Sequence, residues 1–245
     1  MVWSRSGQGE GINNLIKALV AASFCFVGTT SLAATLNFDS TSISSNSPPT
    51  GASATADFTF TDSGVGVVDV SILITNTTGT IAPFGAGATT SKLTGIGFDL
   101  PEFTFLSIVT GSFTTTGFLD TLSPPGDTDL PPFGGFDVAV KDNSNFQGGN
   151  ANGALPENNS TTVSFDLNIS GSSLANAAAL NAAFLSGLAD GSLGAVARFQ
   201  QVNAGAGSDK LLFNPPPPAP VPLPAGAVLL LSAVGGMAFL RRNRA

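Results

Sequence analysis

The sequence predicts a mainly β protein, an antiparallel β-sandwich of about eight or nine strands with one short helix. Three observations carry that expectation. Apolar residues recur at every second position in many segments, the signature of strands with one buried face. Gly, Pro, Asn and Ser clusters separate those segments, and such residues make turns for specific backbone reasons. Between its two termini the chain holds about one domain's worth of residues, with no cysteine, so it must bury a core without disulfides.

The elements follow in order. Ala56, Phe58 and Phe60 fall on one face, with Asp57, Thr59 and Thr61 on the other. Thr61-Asp62-Ser63-Gly64 turns the chain, and Val68, Val70, Ile72 and Ile74 form a second inward row. The two segments predict a β-hairpin, ended by Asn76-Thr77-Thr78-Gly79. Ile96, Phe98 and Leu100 alternate before Pro101 breaks the run. Phe103–Val109 predicts a strand, and Ser112–Phe118 a weaker one. Phe136, Val138 and Val140 alternate again, and Val163, Phe165, Leu167 and Ile169 give the cleanest pattern. Ala195–Val202 and Lys210–Phe213 complete the set. Gly97-Phe98-Asp99-Leu100 and Gly135-Phe136-Asp137-Val138 echo each other, over too few residues to make a repeat.

One segment departs from period two. In Ser173–Leu188 the residues Leu174, Ala177, Leu180, Phe184 and Leu188 stand at helical spacing. Ser172 or Ser173 is the expected cap, and Gly187 or Gly191 the expected stop. The helix would cross between two late strands and cover an open end of the sandwich.

Both termini carry targeting features. Arg5 and Lys17 precede an apolar segment, Ala18–Val27, and Ser31-Leu32-Ala33 supplies small residues. This predicts a signal peptide, residues 1–33, cleaved between Ala33 and Ala34; the apolar core is short for an uncleaved anchor. Glu10 within the cationic region raises the alternative of a start further downstream, and Phe24 before Cys25 argues against lipoprotein processing. The ectodomain is residues 34–213. Asn214–Pro220, NPPPPAP, is a semi-rigid polyproline spacer at about 3.1 Å per residue, with a ligand for a partner as the alternative.

Residues 221–245 read VPLPAGAVLLLSAVGGMAFLRRNRA. The run Ala225–Leu240 is 16 residues without a charge, roughly 24 Å as a helix at about 1.5 Å per residue. Val221, Leu223 and the prolines extend it toward the roughly 30 Å of a hydrocarbon core. Arg241, Arg242 and Arg244 then act as a stop-transfer signal on the cytoplasmic side.

This order of Val221-Pro222-Leu223-Pro224-Ala225, apolar run and arginines resembles the exosortase-recognised sorting signal of Gram-negative bacteria. That is the PEP-CTERM class in its VPLPA variant, with Leu223 where the commoner form has Glu. The resemblance implies export through the Sec translocon, transient anchoring in the inner membrane and cleavage near VPLPA by an exosortase-like protease. It further implies a place at the cell surface or in the extracellular matrix, associated with exopolysaccharide or biofilm. An ordinary single-pass C-terminal anchor is the alternative. TADFTFTDSG, LTGIGFDLP and ARFQQVNAGAGSDKL are also loosely similar to ectodomains of this class, which implies a β-sandwich and no activity.

Composition narrows the chemistry. Residues 34–220 hold four cations, Lys92, Lys141, Arg198 and Lys210, against fifteen acids. Such a surface repels nucleic acid, which demands a basic footprint. The chain has no His and no Tyr, and its one Cys lies in the signal peptide. Ser-His-Asp and Cys-His arrangements and imidazole or thiolate metal sites are thereby excluded, so the expected protein is not an enzyme. A carboxylate pair for glycoside hydrolysis would have to come from Glu102, Glu157 or the aspartates. No cofactor is expected. Calcium is the better-motivated ligand, because Asp127, Asp129 and Asp142 offer hard oxygen donors in loops with Asn143 and Asn145, although neither loop fits the EF-hand spacing. The N-x-[ST] triplets at Asn76, Asn158 and Asn168 are expected chance matches. Two function classes follow: a structural surface or matrix protein, and a carbohydrate- or calcium-binding module.

Overall fold

A computed structural model of the chain describes residues 33–123, 128–142, 146 and 151–216. The expected signal peptide before Ala33, the tail after Pro216, and Asp127, Asn143 and Asn145 of the expected calcium loops lie outside the described residues. Among the described residues no helix is long and apolar enough to cross a membrane.

Two antiparallel sheets and one helix make up the fold. The first sheet contains β1 (Ala33–Phe38), β3 (Ala54–Gly64), β4 (Val67–Asn76) and β11 (Ser160–Asn168), in that spatial order. Two short strands, β6 (Ser107–Ile108) and β7 (Thr114–Thr115), both pair with β11 at its far edge. The second sheet runs β2 (Ile43–Ser44), β13 (Ser208–Leu212), β12 (Ala195–Gln200), β5 (Lys92–Phe98), β9 (Val138–Lys141) and β8 (Thr121–Ser123). β10 (Leu155–Pro156) also pairs with β5.

The predicted hairpin is β3–β4, with Ala56 opposite Ile74, Phe58 opposite Ile72 and Phe60 opposite Val70. All six side chains are buried. β1, unread in the sequence, pairs along the free side of β3 and buries Ala34, Leu36 and Phe38.

Phenylalanine joins the layers. Phe58 of the first sheet meets Phe98 of the second edge to face, with centroids 5.0 Å apart. Phe184 of the helix lies 5.0 Å from Phe58 and 5.5 Å from Phe60. Such contacts add to the burial each ring already contributes, and a ring without a hydroxyl needs no polar partner.

The helix α1 spans Ala177–Asp190, four residues later at its start than the spacing suggested. Asn176 is the cap, its Oδ1 accepting from Ala179 N–H at 2.9 Å. Asp62, at the hairpin end, accepts from Ala177 N–H at 2.7 Å, so two acceptors meet the positive end of the helix. Gly191 stops it in the left-handed region at φ 77°, as glycine does without steric cost.

Phe103–Val109 is not one strand. Glu102 adopts φ 53°, Phe103–Phe105 forms a 3-10 turn, and only Ser107–Ile108 pairs. Pro101 and the left-handed Glu102 interrupt the extension that the apolar alternation suggested. Ser112–Phe118 shortens likewise to Thr114–Thr115.

The echoed G-F-D segments are neighbours, with Phe98 opposite Val138. Asp99 Oδ1 accepts from Asp137 N–H at 3.2 Å, and Asp137 Oδ2 accepts from Leu100 N–H at 2.9 Å. Each aspartate therefore ties the strand that carries the other. Burial raises both carboxyls above their ordinary range.

Candidate functional site

The residues expected to act in targeting divide between described and undescribed parts. Val221, Pro222, Leu223, Pro224, Ala225, Arg241, Arg242 and Arg244 lie outside the described residues. Ala33 and Ala34 open β1: Ala33 is exposed opposite Thr59, and Ala34 is buried opposite Phe58. Cleavage between them would leave Ala34–Phe38 to serve as the strand.

Of the acidic calcium candidates, Asp129 and Asp142 each stand near a cation. Asp142 is buried beside Arg198, whose guanidinium burial pushes down and the Asp142 charge pushes up. Asp129 acts on Lys210 in the same sense; burial and Arg198 lower that ammonium, and Asp129 raises it. Among the described residues no three His, Cys, Asp or Glu side chains form a group able to hold a metal ion. Glu102 is engaged with the segment before the helix. Its Oε2 accepts from Ser173 N–H at 2.8 Å and its Oε1 from the Ser173 hydroxyl, which lowers its carboxyl.

The cations that composition singled out share one surface. Ala195, Ala197 and Phe199 of β12 and Val138 and Val140 of β9 face the main core. Val196 and Ala139, on the opposite face, join Leu130, Phe136 and Phe146 in a second, smaller core. By the same alternation Arg198 and Lys141 lie on that outer face. The register puts Lys210 opposite Arg198, Arg198 opposite Gly95, and Gly95 opposite Lys141. Lys92 occupies the neighbouring row, opposite Gln200.

These cations reach the chain that covers the face. Lys92 Nζ donates to Ala151 O at 3.4 Å, and Lys210 Nζ donates to Pro131 O. Arg198 Nη1 donates to Thr94 Oγ1 at 3.3 Å. Gly95 and Gly97 leave the room for it: a Cβ at Gly95 would lie 2.8 Å from Phe146, and one at Gly97 2.9 Å from the same ring. The glycines are thus the floor on which Phe146 rests. Alternation within β9, β12 and β13 was the signal that could have placed the cations together.

The outer face of the first sheet is different in kind. Thr35, Asp57, Leu73 and Thr162 make one cross-strand row. Thr59, Ser71, Ser164 and Thr114 make another, and Asn37, Thr55, Thr75 and Ser160 a third. Thr35 Oγ1 donates to Asp57 Oδ1 at 2.5 Å, and the Thr75 and Ser160 hydroxyls lie 2.8 Å apart. Asp69 stands opposite Asp166, and its carboxyl is raised first by burial and then by that like charge. The rows contain no Lys or Arg.

At the sheet edge a cavity of about 570 Å³ opens between Phe103, Ser107, Ile108, Val109, Thr110, Gly111, Phe113 and Leu122. It lies within the size range of small-molecule sites. None of these side chains titrates, so the cavity can take up an uncharged apolar group and has no means to move a proton.

Asn76, the first of the glycosylation triplets, is fully buried. Its Nδ2 donates to Leu155 O at 3.0 Å and to Ser91 O at 3.2 Å, so its amide is part of the internal framework. No protein-family model, curated protein or solved structure matches the chain.

Proposed function

We propose that the chain is a non-enzymatic, exported surface or extracellular-matrix protein of a Gram-negative bacterium. An exosortase-like protease sorts it, and it associates with exopolysaccharide or biofilm. The observation that carries this is the ordered C-terminal sequence of VPLPA, uncharged apolar run and arginines, joined to an N-terminal cationic-apolar leader. On this reading the Sec translocon exports the chain and the apolar run holds it in the inner membrane. The protease then cuts near Val221–Ala225 and releases residues 34 to about 221 as the working product.

The ectodomain is a β-sandwich on this reading, supported by two antiparallel sheets that contribute to one core. The test is the intact mass of the protein recovered from its host's surface or medium. A mass that begins at Ala34 and ends between Val221 and Ala225 is expected. A mass that retains Arg244 would make the tail a permanent anchor and overturn the matrix assignment.

A second reading, a carbohydrate-binding module, is favoured by the cation-free field of hydroxyls and carboxylates on the first sheet. Any binder selective for the folded state raises the melting temperature by mass action. The host's own polysaccharide should therefore raise it; no shift at saturating polysaccharide would dispose of that role.

A further inference from the structure

Sheet edges attract other strands, and proteins blunt them with short strands, charges, prolines or bulges. Three of the four edges described here are blunted by brevity. β2 has two residues, β8 three, and β6 and β7 two each. β1 is the exception. Its six residues, AATLNF, contain no charge and no proline, and its register with β3 runs without a shift.

Hydrogen-bond parity shows what this edge offers. Thr77 N–H donates to Ser53 O at 3.0 Å, so the odd-numbered residues of β3 exchange bonds with β4. Its even-numbered residues then exchange bonds with β1. Opposite Ala54, Ala56 and Phe58 stand Phe38, Leu36 and Ala34. The backbone N–H and C=O groups of Thr35 and Asn37 therefore point away from the sheet. The Ser42 hydroxyl donates to Asn37 O at 3.4 Å, which agrees with that direction; this long bond takes one lone pair of the carbonyl and leaves the second for a strand partner.

We propose that β1 is a pairing edge for a second copy of this chain. In the secreted chain, two β1 strands join antiparallel across a two-fold axis beside Leu36, with Thr35 of each opposite Asn37 of the other. Each opposed pair exchanges both of its N–H···O bonds. This uses only positions that survive removal of Ala33, and the contact is self-complementary, as a two-fold interface must be. The nearest carboxylates are already occupied. Asp57 accepts from Thr35 Oγ1, and Asp39 accepts from Thr41 N–H at 2.8 Å and Thr41 Oγ1 at 2.7 Å. Because the opposite edge of the sheet is broken into β6 and β7, growth stops at the dimer.

The inference needs from the targeting reading only that the leader is removed. The experiment is sedimentation equilibrium over a concentration series, on secreted protein whose N-terminus is read by intact mass. Wild type is expected to dimerise, and the Thr35 and Asn37 amides should exchange more slowly as concentration rises. Asn37→Pro removes an outward donor without touching the β1–β3 ladder. Thr35→Lys puts a charge on the edge while leaving the backbone intact. Each should raise the dimer Kd at least about tenfold, or about 1.4 kcal/mol. A wild type that stays monomeric to its solubility limit overturns the proposal, as does a dimer indifferent to both variants. If Asn37→Pro does not fold, Thr35→Lys decides alone. A mass that still includes residues 1–33 refutes leader removal, separately from any failure of pairing.

Discussion

The outer faces of the two sheets use the same backbone pattern to opposite ends. On the first sheet the positions alternate between core and outer face along most of each long strand, and the outer side holds mostly hydroxyls and carboxylates and no cation. On the second sheet the outer positions are covered by a loop segment, and all four cations of residues 34–220 stand there. β12 is accordingly buried on both faces over Ala195–Phe199. In a domain so poor in Lys and Arg, the cations act as internal fasteners, and the open surface is left to oxygen ligands. A face can therefore be recognised by which charges it hides.

Removing the ring that closes the second face should give the largest effect. Phe146 is 2% exposed and rests on Gly95 and Gly97. Phe146→Ala should cost about 3–5 kcal/mol of unfolding free energy, the range for a buried aromatic truncated to alanine. The counterpart on the first face, Leu73→Ala, removes a side chain that is 43% exposed and should cost no more than about 1 kcal/mol, since surface changes are small. Urea unfolding of the two variants checks this. Equal losses would mean that the covering segment adds no core.

Arg198→Ala comes next. Arg198 is 6% exposed and Asp142 1%, so the substitution takes from a buried carboxylate the guanidinium that its charge acts on. Breaking a buried pair from one side costs about 3 kcal/mol or more. Lys92→Ala, at the half-buried margin, should cost about 1 kcal/mol or less, as exposed charges do. If Arg198→Ala were as mild as Lys92→Ala in thermal unfolding, the cations would be ornaments of the face and not its fasteners.

These two faces also differ in how openly the sequence declares them. The hairpin and β11 were legible because one side of each meets water, so burial writes itself as period two. β5 and β12 were legible only on their core side. Gly95, Gly97 and Arg198 on the other side hide the fact that a loop packs there, since a glycine carries no hydropathy signal for the ring above it. The helix was legible as a period, but its start was not. Ser172 and Ser173 were the expected caps, yet Ser173 is held by Glu102, and Asn176 does the capping. β1 went unread although Ala34, Leu36 and Phe38 alternate, because the strand starts at Ala33, where the expected leader cleavage drew the reading instead. Of the candidate sites, the proposed sorting motif Val221–Ala225 is a linear pattern, which the order of residues alone can display. The grouping of cations required the register.

The finest comparison is electrostatic. On the second face opposite charges meet, Arg198 with Asp142 and Lys210 with Asp129; on the first, Asp69 meets Asp166. Like charges directly opposite in a sheet destabilise it by roughly 0.2–1 kcal/mol, so Asp69→Asn should stabilise the protein by about that much at neutral pH. The sign of the pH dependence follows from the raised Asp69 carboxyl. The folded state then binds its proton at a higher pH than the unfolded chain, so folding gains stability as pH falls through the raised value toward the ordinary one near 3.8. The advantage of Asp69→Asn should be largest at neutral pH and shrink across that acidic window. Asp99 and Asp137 are raised as well, and Glu102 and Asp190 lowered, so the wild-type curve alone mixes opposing trends. Subtracting the variant's curve from that of wild type removes the shared contributions. A difference that stays constant from neutral to acid pH would show that the two carboxylates do not repel, and that the open face tolerates its charges through hydration alone.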